Sequence, residues 1–119
     1  YGHHAGDLVI QRLAKLVKLA TRETDITGRY GGEEFSIVLP DTTERKAKIV
    51  AERLRKLVSL DAVAYEDIDI KYTISVGIAQ FSPKYTQASQ WLEDADKALY
   101  QAKEGGRNQV VLASETKPT

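Results

Sequence analysis

Cysteine is absent from this chain of 119 residues, so neither a disulfide nor a thiolate metal site can form. That usage is compatible with a reducing cytosol. Excess charge is lacking too: Lys plus Arg and Asp plus Glu number 17 each, and the formal net charge is zero. A nucleic-acid-binding domain announces itself by a basic excess, so no nucleic acid is expected as a partner. Nowhere do the roughly eighteen apolar residues of a membrane span run together. No basic, apolar and small-residue leader opens the chain either. Direct contact with a membrane is therefore not expected. The chain opens on Tyr1 without a methionine and closes on a polar tail, 114–119, and it reads as a piece cut from a longer protein. What is present is core material: 42% of residues are hydrophobic and 29% charged. That balance suits one domain of modest size, placed at 1–113, with a buried core and a solvated surface.

Hydrophobic spacing predicts three amphipathic helices. The first covers 6–22, with Val9, Leu13, Leu16, Val17 and Ala20 on one stripe. The second covers 43–60, where Ala47, Val50, Leu54, Leu57 and Val58 recur at helical spacing and Thr43 with Lys46 gives a partial capping pattern. The third covers 88–103, with Trp91, Leu92, Ala95, Ala98, Leu99 and Ala102 inward, stopped by Gly105 and Gly106. Between them lie strand signals. Residues 26–30 and 33–39 flank Gly31-Gly32 and read as a hairpin, because glycine enters positive φ freely. Residues 70–81 alternate, with Ile70, Tyr72, Ile74, Val76 and Ile78 on one face, and 109–112 make a last short strand. The order is helix, hairpin, helix, strand, helix, strand. That is an α+β fold, with helices packed on a mainly antiparallel sheet.

Gly31-Gly32-Glu33-Glu34-Phe35 stands at the hairpin tip. Two glycines let a ligand approach the backbone, and two adjacent carboxylates could hold a hard cation such as Mg²⁺ through oxygen. The same five residues also make an ordinary turn with solvated acids. Their surroundings decide between these readings. Tyr1-Gly2-His3-His4-Ala5-Gly6-Asp7, Arg29-Tyr30, Thr73-Ile74-Ser75-Val76-Gly77-Ile78-Ala79, Ala95-Asp96-Lys97-Ala98-Leu99-Tyr100-Gln101-Ala102-Lys103 and Gly106-Arg107-Asn108 follow in order. Together with the glycine turn, they resemble the GGDEF family from residue 1 to about residue 111, nearly the whole chain.

The resemblance implies a fold: the nucleotide-cyclase, or palm-like, domain built on a ferredoxin-like core. It also implies an activity, a diguanylate cyclase that condenses two GTP into cyclic di-GMP with loss of two pyrophosphates. The 3′-hydroxyl of each GTP attacks the α-phosphate of the other, so a homodimer is needed, with Mg²⁺ or Mn²⁺ as cofactor. Carried over by position, Gly31 and Gly32 lie against GTP, Glu33 is a metal ligand and Glu34 the second catalytic acid at the metal. Asp7 accepts from the guanine edge, and Lys103 and Arg107 reach the terminal phosphates. By residue chemistry alone, Asp7 could equally cap the first helix, and Lys103 and Arg107 could be ordinary cations at a helix C-terminus. His3 and His4 are adjacent and share no helix face, so no zinc site is expected.

Arg22-Glu23-Thr24-Asp25 stands where the family carries its R-x-x-D inhibitory site for cyclic di-GMP, with five residues between Asp25 and Gly31. Arg pairs with phosphate as a bidentate fork, and Asp can take guanine N–H groups. Arg53 matches a supplementary arginine of many relatives. A helix-end salt bridge is the plain alternative. One departure from the pattern matters. Relatives carry a strand of the form D-x-D-x-F-K-x-x-N-D before the Y-G-H stretch, supplying another metal-binding aspartate, phosphate contacts and a guanine-reading asparagine. Here that first strand is missing, so the chain as given is expected to be impaired and its sheet edges exposed. Two further readings follow: a non-catalytic receptor for cyclic di-GMP, or an inert structural fragment. The expected location is cytoplasmic, whether or not the parent protein is membrane-anchored.

Overall fold

The computed structural model describes residues 2–29 and 34–116, the side chains of Gly2, His3 and Arg29 excepted. Three long helices frame it because their apolar residues recur every three or four positions. Helix α1 (Gly2–Ala20) buries Ala5, Leu16, Val17 and Ala20, with Val9 and Leu13 packed beside them. It starts at Gly2 rather than at residue 6, and it ends at Ala20 rather than at residue 22. The early start follows from Ala5, which is packed with Val63 and Ile70 and so draws the first turn into the core.

Helix α2 (Glu44–Leu60) is capped by Thr43, whose Oγ1 accepts from the Lys46 N–H at 3.3 Å. Such a cap is worth about 1 kcal/mol. Its buried stripe is Ala47, Ala51, Leu54 and Val58, whereas Leu57 faces outward. Helix α3 (Ala88–Glu104) buries Ala98 and Ala102 completely. At its start Gln90 Oε1 accepts from the Thr86 N–H at 2.7 Å, and near it the Trp91 Nε1–H donates to the Ala79 carbonyl at 2.7 Å. Gly105 ends it as expected, its N–H donating to Gln101 O.

Among the described residues the strands pair in three two-stranded ladders. Strands β1 (Ile26–Arg29) and β2 (Phe35–Val38) are antiparallel, with Ile26 opposite Val38 and Arg29 opposite Phe35. Strands β3 (Val63–Tyr65) and β4 (Ile68–Ile70) form a second antiparallel hairpin. Strands β5 (Val76–Ile78) and β6 (Val110–Leu112) run parallel, joined through α3. The architecture is α+β and mainly antiparallel, as expected.

Two details differ from the sequence reading. Strand β3 carries no periodic signal in three residues, and its turn uses Glu66 at φ 54° in place of a glycine. The continuous strand expected over 70–81 is broken: β4 ends at Ile70, β5 starts at Val76, and 71–75 lie outside any ladder. The alternation there still reports the inner face correctly, since Tyr72 and Ile74 pack against Leu16, Val17, Ala20, Leu54 and Val58. What alternation cannot report is whether a neighbouring strand supplies the ladder. Ala113–Glu115, which reach two residues into the stretch read as tail, make a 3-10 turn, and Ser114 Oγ donates to Glu44 Oε1 at 2.8 Å.

Tyr72 joins the α1–α2 core to the smaller cluster of Ala5, Val63 and Ile70. Near it α1 is tied to the end of α2: Arg12 donates to Asp61 through Nε at 2.8 Å and Nη2 at 3.0 Å. Those hydrogen bonds hold the Asp61 carboxyl below its usual range. A depressed folded-state pKa stabilises the fold above the unfolded value and loses that contribution as pH falls through the folded value. Urea unfolding should therefore show stability dropping below pH about 4 more steeply in the wild type than in Arg12→Ala. Parallel acid limbs in the two proteins would mean that the pair is not coupled to folding.

Candidate functional site

The candidate residues named from sequence fall into two separate groups. The first lies where the β1–β2 hairpin meets the C-terminal end of α3. Glu34 immediately precedes β2, and Lys103 occupies the last turn of α3. Lys103 Nζ stands 3.6 Å from Glu34 Oε1, with both side chains about half exposed. In sequence these residues are far apart, so the contact is made by the fold. An exposed pair of this kind adds at most about 1 kcal/mol to stability, so it does not dictate the fold. It leaves a carboxylate and an ammonium side by side at a solvent-accessible spot. Gly31, Gly32 and Glu33, together with Tyr1 and Tyr30, lie outside the described residues.

Beyond Lys103 the chain turns sharply. Gly106, Arg107 and Asn108 take φ values of 112°, 63° and 47° in succession. The Arg107 N–H donates to Ala102 O at 3.0 Å, and its exposed side chain forms no ion pair with a described residue. Asp7 is exposed in the second turn of α1. With α1 starting at Gly2, Asp7 is not its cap, which removes the plain structural explanation for that residue.

No three His, Cys, Asp or Glu side chains gather into a metal site among the described residues. Mg²⁺ is commonly held by one or two carboxylates together with substrate phosphates rather than by a full protein cage. Adjacent carboxylates at Glu33 and Glu34 are a donor set of that kind.

The second group surrounds the end of α1. The Arg22 N–H donates to Asp25 Oδ2 at 2.7 Å, and Arg22 Nη2 donates to Asp25 Oδ1 at 3.2 Å. Nη2 also reaches Pro40 O at 3.2 Å and Thr42 Oγ1 at 3.1 Å. Arg53 comes from α2 to the same helix end, its Nη2 at 3.5 Å from Ala20 O. Arg22, Asp25 and Arg53 are thus brought together. They differ in access, since the Asp25 side chain is 3% exposed and that of Arg22 is 62% exposed. The arginine is what an approaching anion meets, while the carboxylate is already engaged by Arg22. The plain salt bridge foreseen from sequence exists, and it sits beside a second arginine.

A third contact joins Asn108, of the Gly106-Arg107-Asn108 motif, to Arg55, which belongs to no motif. Arg55, two positions after Arg53, donates through Nε and Nη2 to Glu52 at 3.2 and 3.3 Å and through Nη1 to Asn108 Oδ1 at 3.0 Å. Only the Glu52–Arg55 spacing of three could have been read as a helix pair.

The family profile described as "Diguanylate cyclase, GGDEF domain" matches residues 1–109. Diguanylate cyclase A of Treponema denticola is 43% identical over 118 residues, 99% of this chain and 32% of that protein. Response regulator PleD of Caulobacter vibrioides is 38% identical over 113 residues, 93% of this chain and 25% of that protein. The chain thus spans about a third or less of the length of these curated relatives. The GGDEF domain of DgcB from Caulobacter crescentus, crystallised in complex with c-di-GMP, superposes with a TM-score of 0.90 at 32% identity, covering 97% of this chain and 68% of that one. The active GGEEF domain of a diguanylate cyclase from Vibrio cholerae superposes at 0.87 with 30% identity, covering 98% and 73%. With its motifs, its palm-like α+β fold and these relatives in agreement, the chain belongs to the GGDEF diguanylate cyclase domain family.

Proposed function

We propose that this domain, within its intact parent protein and paired with a second copy of itself, condenses two GTP into cyclic di-GMP and two pyrophosphates. The observation that carries the reading is the approach of Lys103 to Glu34, which sets a cation beside the second acid of the glycine turn. A triphosphate arriving there is more anionic than one carboxylate and competes for the lysine, while Arg107 adds a planar fork suited to phosphate oxygens. Asp7, exposed and outside the helix cap, is available as an acceptor for guanine N–H groups. Gly31 and Gly32 let the nucleotide approach the backbone of the turn. Mg²⁺ or Mn²⁺ held by Glu33 and Glu34 would neutralise charge on the phosphates. In each half-reaction a 3′-oxygen forms a bond to the partner nucleotide's α-phosphorus, the bond to pyrophosphate breaks, and the hydroxyl proton is released. Positioning and electrostatics supply most of the acceleration in such transfers.

Arg22, Asp25 and Arg53 would bind the product and restrain turnover. The experiment is turnover of GTP with added cyclic di-GMP. The wild type should be inhibited, and Arg22→Ala should need about ten- to a hundredfold more cyclic di-GMP, as loss of a charge-assisted contact implies. Equal inhibition of both proteins would reduce the R-x-x-D stretch to a helix-end ion pair. A protein that binds cyclic di-GMP through Arg22 without any turnover would instead be a receptor.

A further inference from the structure

The turn that presents Arg107 is held from outside. Three successive residues with positive φ follow α3, and only Gly106 adopts that conformation freely. For a side chain such as Arg107 the left-handed region costs about 1–2 kcal/mol, less for asparagine. The turn therefore needs partners that over-determine it. Two are backbone bonds: the Arg107 N–H on Ala102 O at 3.0 Å within the turn, and the Val76 N–H of β5 on Gln109 O at 3.0 Å just after it. The other two act on Asn108, whose N–H donates to Ser75 Oγ at 3.2 Å and whose Oδ1 accepts from Arg55 Nη1 at 3.0 Å.

Arg55 is well suited to fix a direction. Its side chain is 19% exposed, and Nε and Nη2 are taken by the two oxygens of Glu52 at 3.2 and 3.3 Å. With that edge of the guanidinium occupied, Nη1 is left pointing at Asn108. The plane of the group is set by α2, and its free N–H sets the side chain of the residue next to Arg107. Lysine cannot reproduce this, because an ammonium lacks the rigid fork.

We infer that Arg55 is a positioning residue: acting through Asn108, it fixes the turn that aims Arg107 at the triphosphate of GTP. The inference rests on the reading of Arg107 as a phosphate contact. It also gives α2 two roles two residues apart, with Arg53 at the end of α1 and Arg55 at the phosphate turn.

Calorimetry with a non-hydrolysable GTP analogue and Mg²⁺ on the intact protein tests it, with thermal melts alongside. Arg107→Ala sets the scale and should weaken binding about tenfold or more, as loss of a charge-assisted phosphate contact implies. Arg55→Lys and Asn108→Ala should each weaken binding several-fold. The double variant should be no weaker than the worse single one, since both remove the same link. Asn108→Asp keeps the acceptor and the tolerance of positive φ, and it should bind more tightly than Asn108→Ala, though short of the wild type because its added charge faces the triphosphate. In turnover the single variants should raise KM for GTP more than they lower kcat. Melting points that fall with no change in affinity would overturn the inference and leave Arg55 as a staple for α2. Additive losses in the double variant would overturn it too. If Arg107→Ala binds normally, the fault lies in the phosphate reading itself, and the inference falls with it. Should Arg55→Lys fail to fold, Asn108→Ala, a change in an exposed turn, carries the test.

Discussion

Alanine at Gly77 should destabilise the domain by about 3 kcal/mol or more, and valine there should prevent folding. The residue lies in β5, within the Thr73–Ala79 motif, and its φ is not in the left-handed region. Backbone conformation therefore does not demand glycine. Contact does. A Cβ at Gly77 would overlap the Ala95 carbonyl oxygen and the Leu99 nitrogen, and it would lie 2.8 Å from Leu99 Cα. All three are backbone atoms of α3, so no rotamer change relieves the clash and the helix itself must move. That helix carries Ala98 and Ala102, both fully buried, and displacing it opens the core. Against a total stability of about 5–15 kcal/mol such a loss is severe. Gly28 is the control, because a Cβ there meets only Ser36 Oγ at 4.0 Å. Its alanine variant should change stability by less than about 1 kcal/mol. Urea unfolding decides between contact and coincidence: equal effects at Gly77 and Gly28 would sink the close-packing argument.

Glu34→Gln should lower turnover by at least about a thousandfold, roughly 4 kcal/mol at the transition state, while the fold persists. The folded state has little invested in this carboxylate. Its side chain is 42% exposed, and it faces Lys103 Nζ at 3.6 Å. Loss of a surface pair shifts stability by no more than about 1 kcal/mol. On the proposed reading the same carboxylate faces the triphosphate, and among the described residues no three His, Cys, Asp or Glu side chains gather into a group that could hold the metal in its place. Steady-state kinetics with a parallel melt separates the two effects. A variant that melts normally and turns over within tenfold of the wild type would remove Glu34 from the chemistry.

Helices were legible because a stripe such as Leu13, Leu16, Val17 and Ala20 needs only one partner face to be meaningful, and that face exists. Strands were legible in direction but not in extent. Tyr72 and Ile74 face the core as alternation requires, yet pairing depends on a neighbour that the segment itself does not encode. Strand β3 was invisible because Val63, Ala64 and Tyr65 are too few to show a period, and Glu66 rather than glycine makes the turn. At the site, Glu34 could be read from residue chemistry as one of two adjacent acids able to hold a cation or simply as a solvated turn residue, and Lys103 as an ordinary helix-end cation. The family resemblance decided between these readings, and their meeting is a property of the packed hairpin and helix. Arg22 and Asp25 were readable in both roles, and the ion pair between them was foreseen as the plainer one. Arg55 was readable only as half of a helix pair with Glu52, because its partner Asn108 lies on the far side of α3 in sequence.

Whether the domain makes cyclic di-GMP is read from the product it forms from GTP. The intact protein is incubated with GTP and Mg²⁺, and the nucleotides are separated and weighed by mass spectrometry. One new nucleotide with the mass of cyclic di-GMP should appear, with two pyrophosphates for each molecule formed and no product once the cation is chelated. Unchanged GTP, from protein that still binds cyclic di-GMP in the same buffer, would contradict the proposed activity.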